Sequence, residues 1–252
     1  MCFDHDSRPP IVPLDGGALD PSEIELVAAD GNRFAAFVAR AARPTGTGIV
    51  ILPDVRGLHA YYRELTIRFA EHGVDAIAID YFGRTAGIGD RGPAFEFSPH
   101  VAATRYAGLS ADTTAAAAHL RALTGDARLF ATGFCMGGRL AFLASTMGLD
   151  LAGVIGFYGW PTGPARNDTP APAEVADRIA CPVLGIFGGA DEGISASVVA
   201  AFEAALTAAD VPHRLTTYEG APHSFFDRKA TDFADASERA WAETLAFMGV
   251  GR

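Results

Sequence analysis

Cysteine is scarce in this 252-residue chain: only Cys2, Cys135 and Cys181 are present. An odd number of thiols in a long sequence excludes a disulfide framework as the source of stability and points to the reducing cytoplasm. Basic residues are also in deficit, with 20 Lys and Arg against 30 Asp and Glu, a formal charge of −10. Nucleic-acid binding without sequence preference needs clustered cations to replace counterions, and docking on an anionic membrane needs them too, so neither partner is expected. Long apolar runs are missing, since none approaches the ~18 residues of a membrane span. The stretch from Met1 to Asp15 carries Asp4, Asp6 and the pair Pro9-Pro10. It lacks the basic start and apolar core of a secretory signal. No Cys/His spacing suits zinc, and no P-loop is present. Gly87-Ile88-Gly89-Asp90-Arg91-Gly92 has the spacing of a dinucleotide fingerprint. It does not follow directly from a strand, and Pro93 and Pro99 follow it where a helix is needed, so no nucleotide is expected. The chemistry is read as needing neither cofactor nor metal.

What remains is an ordinary globular composition, 49% hydrophobic and 20% charged, long enough to bury a core without staples. Short apolar runs alternate with longer Ala-rich helical stretches. Candidate strands are Glu23 to Val27, Phe34 to Val38, Gly48 to Leu52, Ala76 to Ile79, Arg128 to Thr132, Gly153 to Tyr158, Val183 to Gly188 and Arg214 to Tyr218. Candidate helices are Tyr61 to His72, Val101 to Leu123, Gly138 to Met147, Ser197 to Ala209 and Asp232 to Met248. In the last of these Phe233, Ala236, Ala240, Trp241, Leu245 and Met248 recur at helical spacing and are assigned to the core. The first two strands have no helix between them and form an antiparallel hairpin through Asp30-Gly31-Asn32. From Gly48 onward the alternation predicts right-handed crossovers and an α/β fold, a mostly parallel central sheet with helices on both faces. Continuously apolar middle strands agree, because such strands are covered on both sides. Residues 83–99 and 160–172 read as long loops. One domain is expected over residues 1–252, with 1–20 an N-terminal extension.

The strongest local signal is Gly133-Phe134-Cys135-Met136-Gly137-Gly138, which follows an apolar strand and opens a helix. A G-x-nucleophile-x-G turn needs both glycines, because the backbone closes on itself and holds the nucleophile in a strained conformation. A cysteine there lies at a helix N-terminus, where the dipole favours thiolate. The serine version, G-x-S-x-G, occurs nowhere in the chain. A buried structural thiol in a Gly-rich turn is the alternative. The α/β-hydrolase order of nucleophile, acid and His is followed by Asp191, after the strand ending at Gly188, and His223, after the strand ending at Tyr218. Glu192 rivals Asp191, which could otherwise be a helix cap, and His223 could be a surface-loop histidine. His5, His59, His72, His100, His119 and His213 lack that post-strand position. Another strand runs into Pro53-Asp54-Val55-Arg56-Gly57. The loop there supplies an oxyanion-hole donor in this fold, so the Val55 and Met136 N–H groups are the candidate pair. Asp54 can contact the nucleophile or serve as a turn acid, and Arg56 can be a solvated charge.

From about Pro21 onward these motifs resemble the dienelactone hydrolase (carboxymethylenebutenolidase) family. The matching segments are P-D-V-R-G at 53–57, D-Y-F-G-R at 80–84, G-F-C-M-G-G at 133–138, G-G-A-D at 188–191 and P-H-S-F at 222–225. The resemblance implies a single α/β-hydrolase domain with Cys135 as nucleophile, His223 as base and Asp191 as the acid orienting it. The family's loop acid, normally Glu, falls on the shorter Asp54, where it would switch the thiol between masked and reactive forms. Family members hold a substrate carboxylate with two arginines. Arg84 matches the first; the second position is Asp227, with Arg228 one residue later. The expected activity is opening of a small-molecule lactone or carboxylic ester through a Cys135 acyl-enzyme. Alternatives are an esterase or thioesterase using the same triad, and a non-catalytic binding protein on the hydrolase scaffold. The oligomeric state is left open.

Overall fold

The computed structural model describes residues 6–251; Cys2 and His5 lie outside them. Eight strands form one sheet: β1 (Ala18–Val27), β2 (Arg33–Ala41), β3 (Thr47–Leu52), β4 (Val74–Ile79), β5 (Arg128–Phe134), β6 (Gly153–Phe157), β7 (Val183–Gly188) and β8 (His213–Tyr218). Their spatial order is β1-β2-β4-β3-β5-β6-β7-β8. The pairs β1/β2 and β2/β4 are antiparallel. All pairs from β4 through β8 are parallel. Every residue of β3, β4 and β7 is buried. Successive side chains of a strand point to opposite faces, so complete burial means that both faces are covered.

The helices are α1 (Ala60–Glu71), α2 (Gly83–Ala86), α3 (Phe97–Ala103), α4 (Tyr106–Thr124), α5 (Met136–Ala144), α6 (Ala196–Ala208) and α7 (Ala234–Phe247), with a 3₁₀ segment at Pro172–Arg178. The stripe read on the last helix is realised: Ala240, Trp241, Leu245 and Met248 are buried, with Phe233 and Ala236 packed against them. The hairpin turn is as expected, with Gly31 at φ +86° and the Asn32 N–H donating to Asp30 Oδ1 at 3.2 Å.

Two expectations are corrected. The helix read as one piece from Val101 to Leu123 is broken at Thr104, whose ψ of 149° is extended. The cause is tertiary. Asp168 Oδ1 accepts the Tyr106 N–H at 2.6 Å, capping α4, and Asn167 Nδ2 donates to Thr104 Oγ1 at 2.8 Å. A distant loop thus satisfies a helix terminus that the local sequence does not mark. Part of the stretch read as an N-terminal extension also belongs to the sheet, since Ala18 pairs with Ala41 and Leu19 with Arg40.

The loops at the C-terminal ends of β3 and β4 are tied together by one buried carboxylate. Asp80 accepts the Leu58 N–H on Oδ1 at 3.2 Å and the Phe82 N–H on Oδ2 at 3.3 Å. The same Oδ2 pairs with Arg91 at 2.9 Å, both side chains being nearly fully buried. Arg91 also donates to Gly87 O at 2.5 Å and lies 4.6 Å from the Phe95 ring centroid. Removing one partner of such a pair strands the other charge. Arg91→Met is therefore expected to cost about 3–5 kcal/mol, read as a lowered urea midpoint; a loss below about 1 kcal/mol would reduce the pair to a surface-type contact.

Candidate active site

The elbow between β5 and α5 is built by backbone contact. A Cβ on Gly133 would lie 1.9 Å from Gly137 O, and one on Gly137 would lie 2.0 Å from Leu52 O. No side chain fits at either position, so the end of β5, the first turn of α5 and the end of β3 are pressed together. Cys135 at their junction has φ +56°, a left-handed conformation costly for a residue with a Cβ. It is 5% exposed, and its N–H donates to Phe157 O at 3.0 Å. Met136 is the first residue of α5, so its N–H has no carbonyl one turn back to bond. The register pairs Leu52 with Gly133, which brings the loop after β3, with Val55, beside the elbow. Among the described residues no backbone carbonyl takes the Val55 N–H.

The loops after β7 and β8 bring the acid and the histidine together. His223 Nδ1 is 2.7 Å from Asp191 Oδ2. The other oxygen, Oδ1, accepts the N–H groups of Gly193 at 2.8 Å and Ile194 at 3.1 Å. Asp191 is buried whereas Glu192 is exposed, so geometry separates the two acids that sequence left in competition. The loops are joined by the Gly189 N–H to Tyr218 O at 2.8 Å and the Ala190 N–H to Ala221 O at 2.9 Å. The His223 ring packs 4.7 Å from Trp160 and 4.8 Å from Tyr158, centroid to centroid. Tyr158 and Ser224 are also left-handed, at φ +38° and +64°. Backbone strain therefore recurs at Cys135, at the residue after β6 and beside the histidine.

Asp54 is fully buried. Its Oδ1 accepts the Arg56 N–H at 2.8 Å, its own N–H donates to the Tyr62 hydroxyl at 3.1 Å, and Oδ2 lacks a hydrogen-bond partner. Burial pushes its pKa up to about 7, opposed by the Arg56 N–H and charge, the Tyr62 hydroxyl and His223. The Tyr81 hydroxyl donates to Pro53 O at 2.8 Å. Burial, with Asp54, Asp80 and Cys135 nearby, holds that phenol well above its usual range.

Three residues of this region were not assigned from sequence. Asp227 is buried; Oδ2 accepts the Tyr158 hydroxyl at 2.9 Å and Oδ1 the Arg228 N–H. Burial first, then the charge of Asp54, raises its carboxyl well above the ordinary range. An acid directly after Phe225-Phe226 is the only local signal for it. Tyr158 closes an apolar strand at its C-terminal end, the position where site residues gather in α/β sheets. Arg139 is the one charge in α5. It is buried and donates to the carbonyls of Trp160, Thr162, Gly163 and Thr169 at 2.9–3.4 Å, so it shapes the loop that presents Trp160.

The arginines depart from the resemblance. Arg84 is bound by Asp30 and Asp112, at 2.5 and 2.8 Å, and its remaining contact is to Gly108 O. This cluster takes up the guanidinium expected to hold a substrate carboxylate. The Arg228 side chain is exposed. Arg56 is buried rather than solvated, with its guanidinium 5.7 Å from the Phe97 ring centroid. It borders a cavity of about 170 Å³ walled in part by Pro93, Phe95 and Phe97. No cluster of three or more His, Cys, Asp or Glu among the described residues is disposed to hold a metal ion. No helix there is long and apolar enough to cross a membrane.

The profile of the dienelactone hydrolase family matches residues 34–250. The chain belongs to this family. A protein of Escherichia coli O157:H7, by name a carboxymethylenebutenolidase, is 29% identical over 229 residues, covering 88% of this chain and 84% of its own. A counterpart by the same name from Salmonella typhimurium is 28% identical over 247 residues, covering 95% and 91%. The crystal structure of a protein titled a dienelactone hydrolase from Klebsiella pneumoniae superposes with a TM-score of 0.78 at 27% identity, covering 92% of this chain and 99% of that one. Like its family, this dienelactone hydrolase-family protein is a hydrolase of ester or lactone bonds on the α/β-hydrolase fold.

The raised carboxyl of Asp54 links stability to pH. Between 3.8 and about 7 the folded protein keeps a proton that the unfolded chain releases, so stability falls as pH rises through this window. Asp227, shifted in the same direction, adds to the slope. Asp54→Asn is expected to gain on wild type by on the order of 2 kcal/mol between about pH 5 and about pH 8. Urea unfolding of both proteins at the two pH values measures this; parallel pH dependences would show that Asp54 titrates normally.

Proposed function

We propose that this hydrolase opens a carboxylic ester or lactone through a thioester on Cys135. The observation that supports this best is the 2.7 Å contact between His223 Nδ1 and Asp191 Oδ2 in loops adjoining a left-handed cysteine at a helix N-terminus. With the Asp191 carboxylate as acceptor, Nδ1 carries the donated proton and Nε2 acts as the base. His223 takes the thiol proton and the Cys135 thiolate adds to the carbonyl carbon. The Val55 and Met136 N–H groups receive the oxyanion, donors of a kind worth about 2.7–4 kcal/mol each. Collapse expels the alkoxide, which takes the proton from His223. A water activated by the same imidazole then hydrolyses the thioester, returning the acid product and the thiol. Asp54, buried in the loop after β3 with a pKa of about 7, disfavours the nearby thiolate by like charge when it is ionised and so tunes thiolate formation.

The reading makes Cys135 the reactive thiol. Cys181 is buried in apolar surroundings that push it up to about 11, which keeps it protonated and inert. Limited iodoacetamide treatment with mass spectrometry is expected to label Cys135 in step with inactivation; inactivation tracking Cys181 would defeat the assignment. His223→Ala is expected to lower kcat/KM on a p-nitrophenyl ester by about 10²–10⁴-fold, whereas Glu192→Ala leaves it within about twofold. Asp54→Asn is expected to shift the pH profile of Cys135 alkylation. Superimposable profiles with unchanged turnover would remove Asp54 from the mechanism.

A further inference from the structure

The His223 ring touches two aromatic rings, that of Tyr158 at 4.8 Å and that of Trp160 at 4.7 Å, centroid to centroid. Tyr158 is fully buried, whereas Trp160 is only partly so. Trp160 also covers the turn that carries the acid. Its indole N–H donates to Gly193 O at 3.1 Å, and a Cβ on Gly193 would lie 2.7 Å from Trp160 Cζ2. Gly193 is the residue whose N–H Asp191 Oδ1 accepts at 2.8 Å. One indole therefore meets both the imidazole and the turn that holds its carboxylate partner. The nucleophile helix sets the place of that indole. A Cβ on Gly159 would lie 2.3 Å from Gly138 C, and one on Gly138 would lie 2.5 Å from Phe157 O. The chain leading into Trp160 is thus pressed on the first turn of α5. Arg139, next in that turn, donates to Trp160 O at 3.2 Å.

We propose that Trp160 is a positioning residue for the His223–Asp191 couple: its N–H ties down the acid's turn, and its ring supports the imidazolium that forms when His223 takes the thiol proton. The proposal rests on the reading of His223 as the base for Cys135. A cation within about 6 Å of an aromatic centroid is attracted to the face of the ring, and indole is the best of the aromatic partners. A neutral imidazole lacks that attraction. The contact therefore favours the state made during acyl transfer over the resting one, and only such differential contacts speed the chemical step. Titratable groups acting on the imidazole include Asp191, through the 2.7 Å contact, Asp54 and Asp227, through their charges, and Tyr158, through its ring. Trp160 carries no titrating group, so its support does not change with pH. It acts through His223 and exchanges no proton with the reacting atoms.

A protonated imidazole quenches the fluorescence of a neighbouring indole, so Trp160 reports on its own contact. Wild type is expected to show a pH-dependent step in tryptophan emission that is lost in His223→Gln, lost in Trp160→Phe and kept in Asp54→Asn. The second indole, Trp241, lies 5.3 Å from His72, and its signal is common to all of these proteins. On p-nitrophenyl butyrate, Trp160→Leu is expected to lower kcat by about fivefold or more with KM within about twofold of wild type. Trp160→Phe, which keeps a ring, is expected to recover most of that loss. Absence of a His223-dependent step in wild type overturns the proposal without any Trp160 variant, so a variant that fails to fold does not protect it. Trp160→Leu turning over like wild type, a loss confined to KM, or Trp160→Phe no better than Trp160→Leu also overturns it. Turnover surviving in Cys135→Ala with the fluorescence step intact would instead overturn the nucleophile reading and, with it, the catalytic use of the contact.

Discussion

Three backbones meet at one point in this molecule, and most of the active-site geometry follows from that contact. Gly133, Gly137 and the end of β3 approach so closely that a Cβ on either glycine would collide with a carbonyl oxygen. The approach forces Cys135 into a left-handed conformation and places it ahead of the first turn of α5. It also fixes the distance between the elbow and the loop carrying Asp54 and Val55. The Cys135 N–H then reaches across to Phe157 O, which locks β6 in register and sets Tyr158 next to the site. Tyr158 in turn holds Asp227, the last residue in a run of contacts linking the Cys135 turn to the His223 loop. A methyl group at either glycine would displace every later member of the series.

Electrostatics divides the buried charges into two kinds. Asp80 with Arg91, and the buried Asp112 with the more exposed Arg84 that Asp30 also holds at the surface, are paired internally and join loops distant in sequence. Buried pairs add little net stability over apolar packing of the same shape, but breaking one is costly. Their effect is to prevent loop rearrangement. Asp54 and Asp227 are buried with neutral hydrogen-bond donors and raised carboxyl pKa values. Groups held in that unfavourable state cluster where chemistry is done. The aromatic residues around them, among them Phe134, Phe157 and Phe226 with ring centroids 4.6–6.0 Å apart, exclude the water that would otherwise lower those values.

Period and order along the chain were enough to place all eight strands, the hairpin, the elbow glycines and the acid-then-histidine sequence. Each of these is a local property: a strand needs only a short apolar run, and a tight turn needs a residue without a Cβ. Helix ends proved less legible, because Thr104 breaks α4 from α3 only when Asn167 and Asp168 arrive from another loop to bond it.

Side-chain partnership is the part that the linear order leaves undetermined. Arg84 stands at a strand end and reads as a substrate ligand, yet Asp30 and Asp112 neutralise it from positions 54 and 28 residues away. Asp191 and Glu192 are neighbours of like chemistry, and only the direction of the chain after β7 buries one against His223 and exposes the other. Asp227 carries no motif; its burial depends on Tyr158, 69 residues earlier. The linear order was enough for the strands, the parallel character of the sheet and the residue types able to do acyl-transfer chemistry, because those depend on spacing within a few residues. Which charges are spent on one another, and which are left facing the histidine, was decided by the tertiary structure, because a charge's partner and its loss of solvent are set by packing between segments that the chain brings together only when folded.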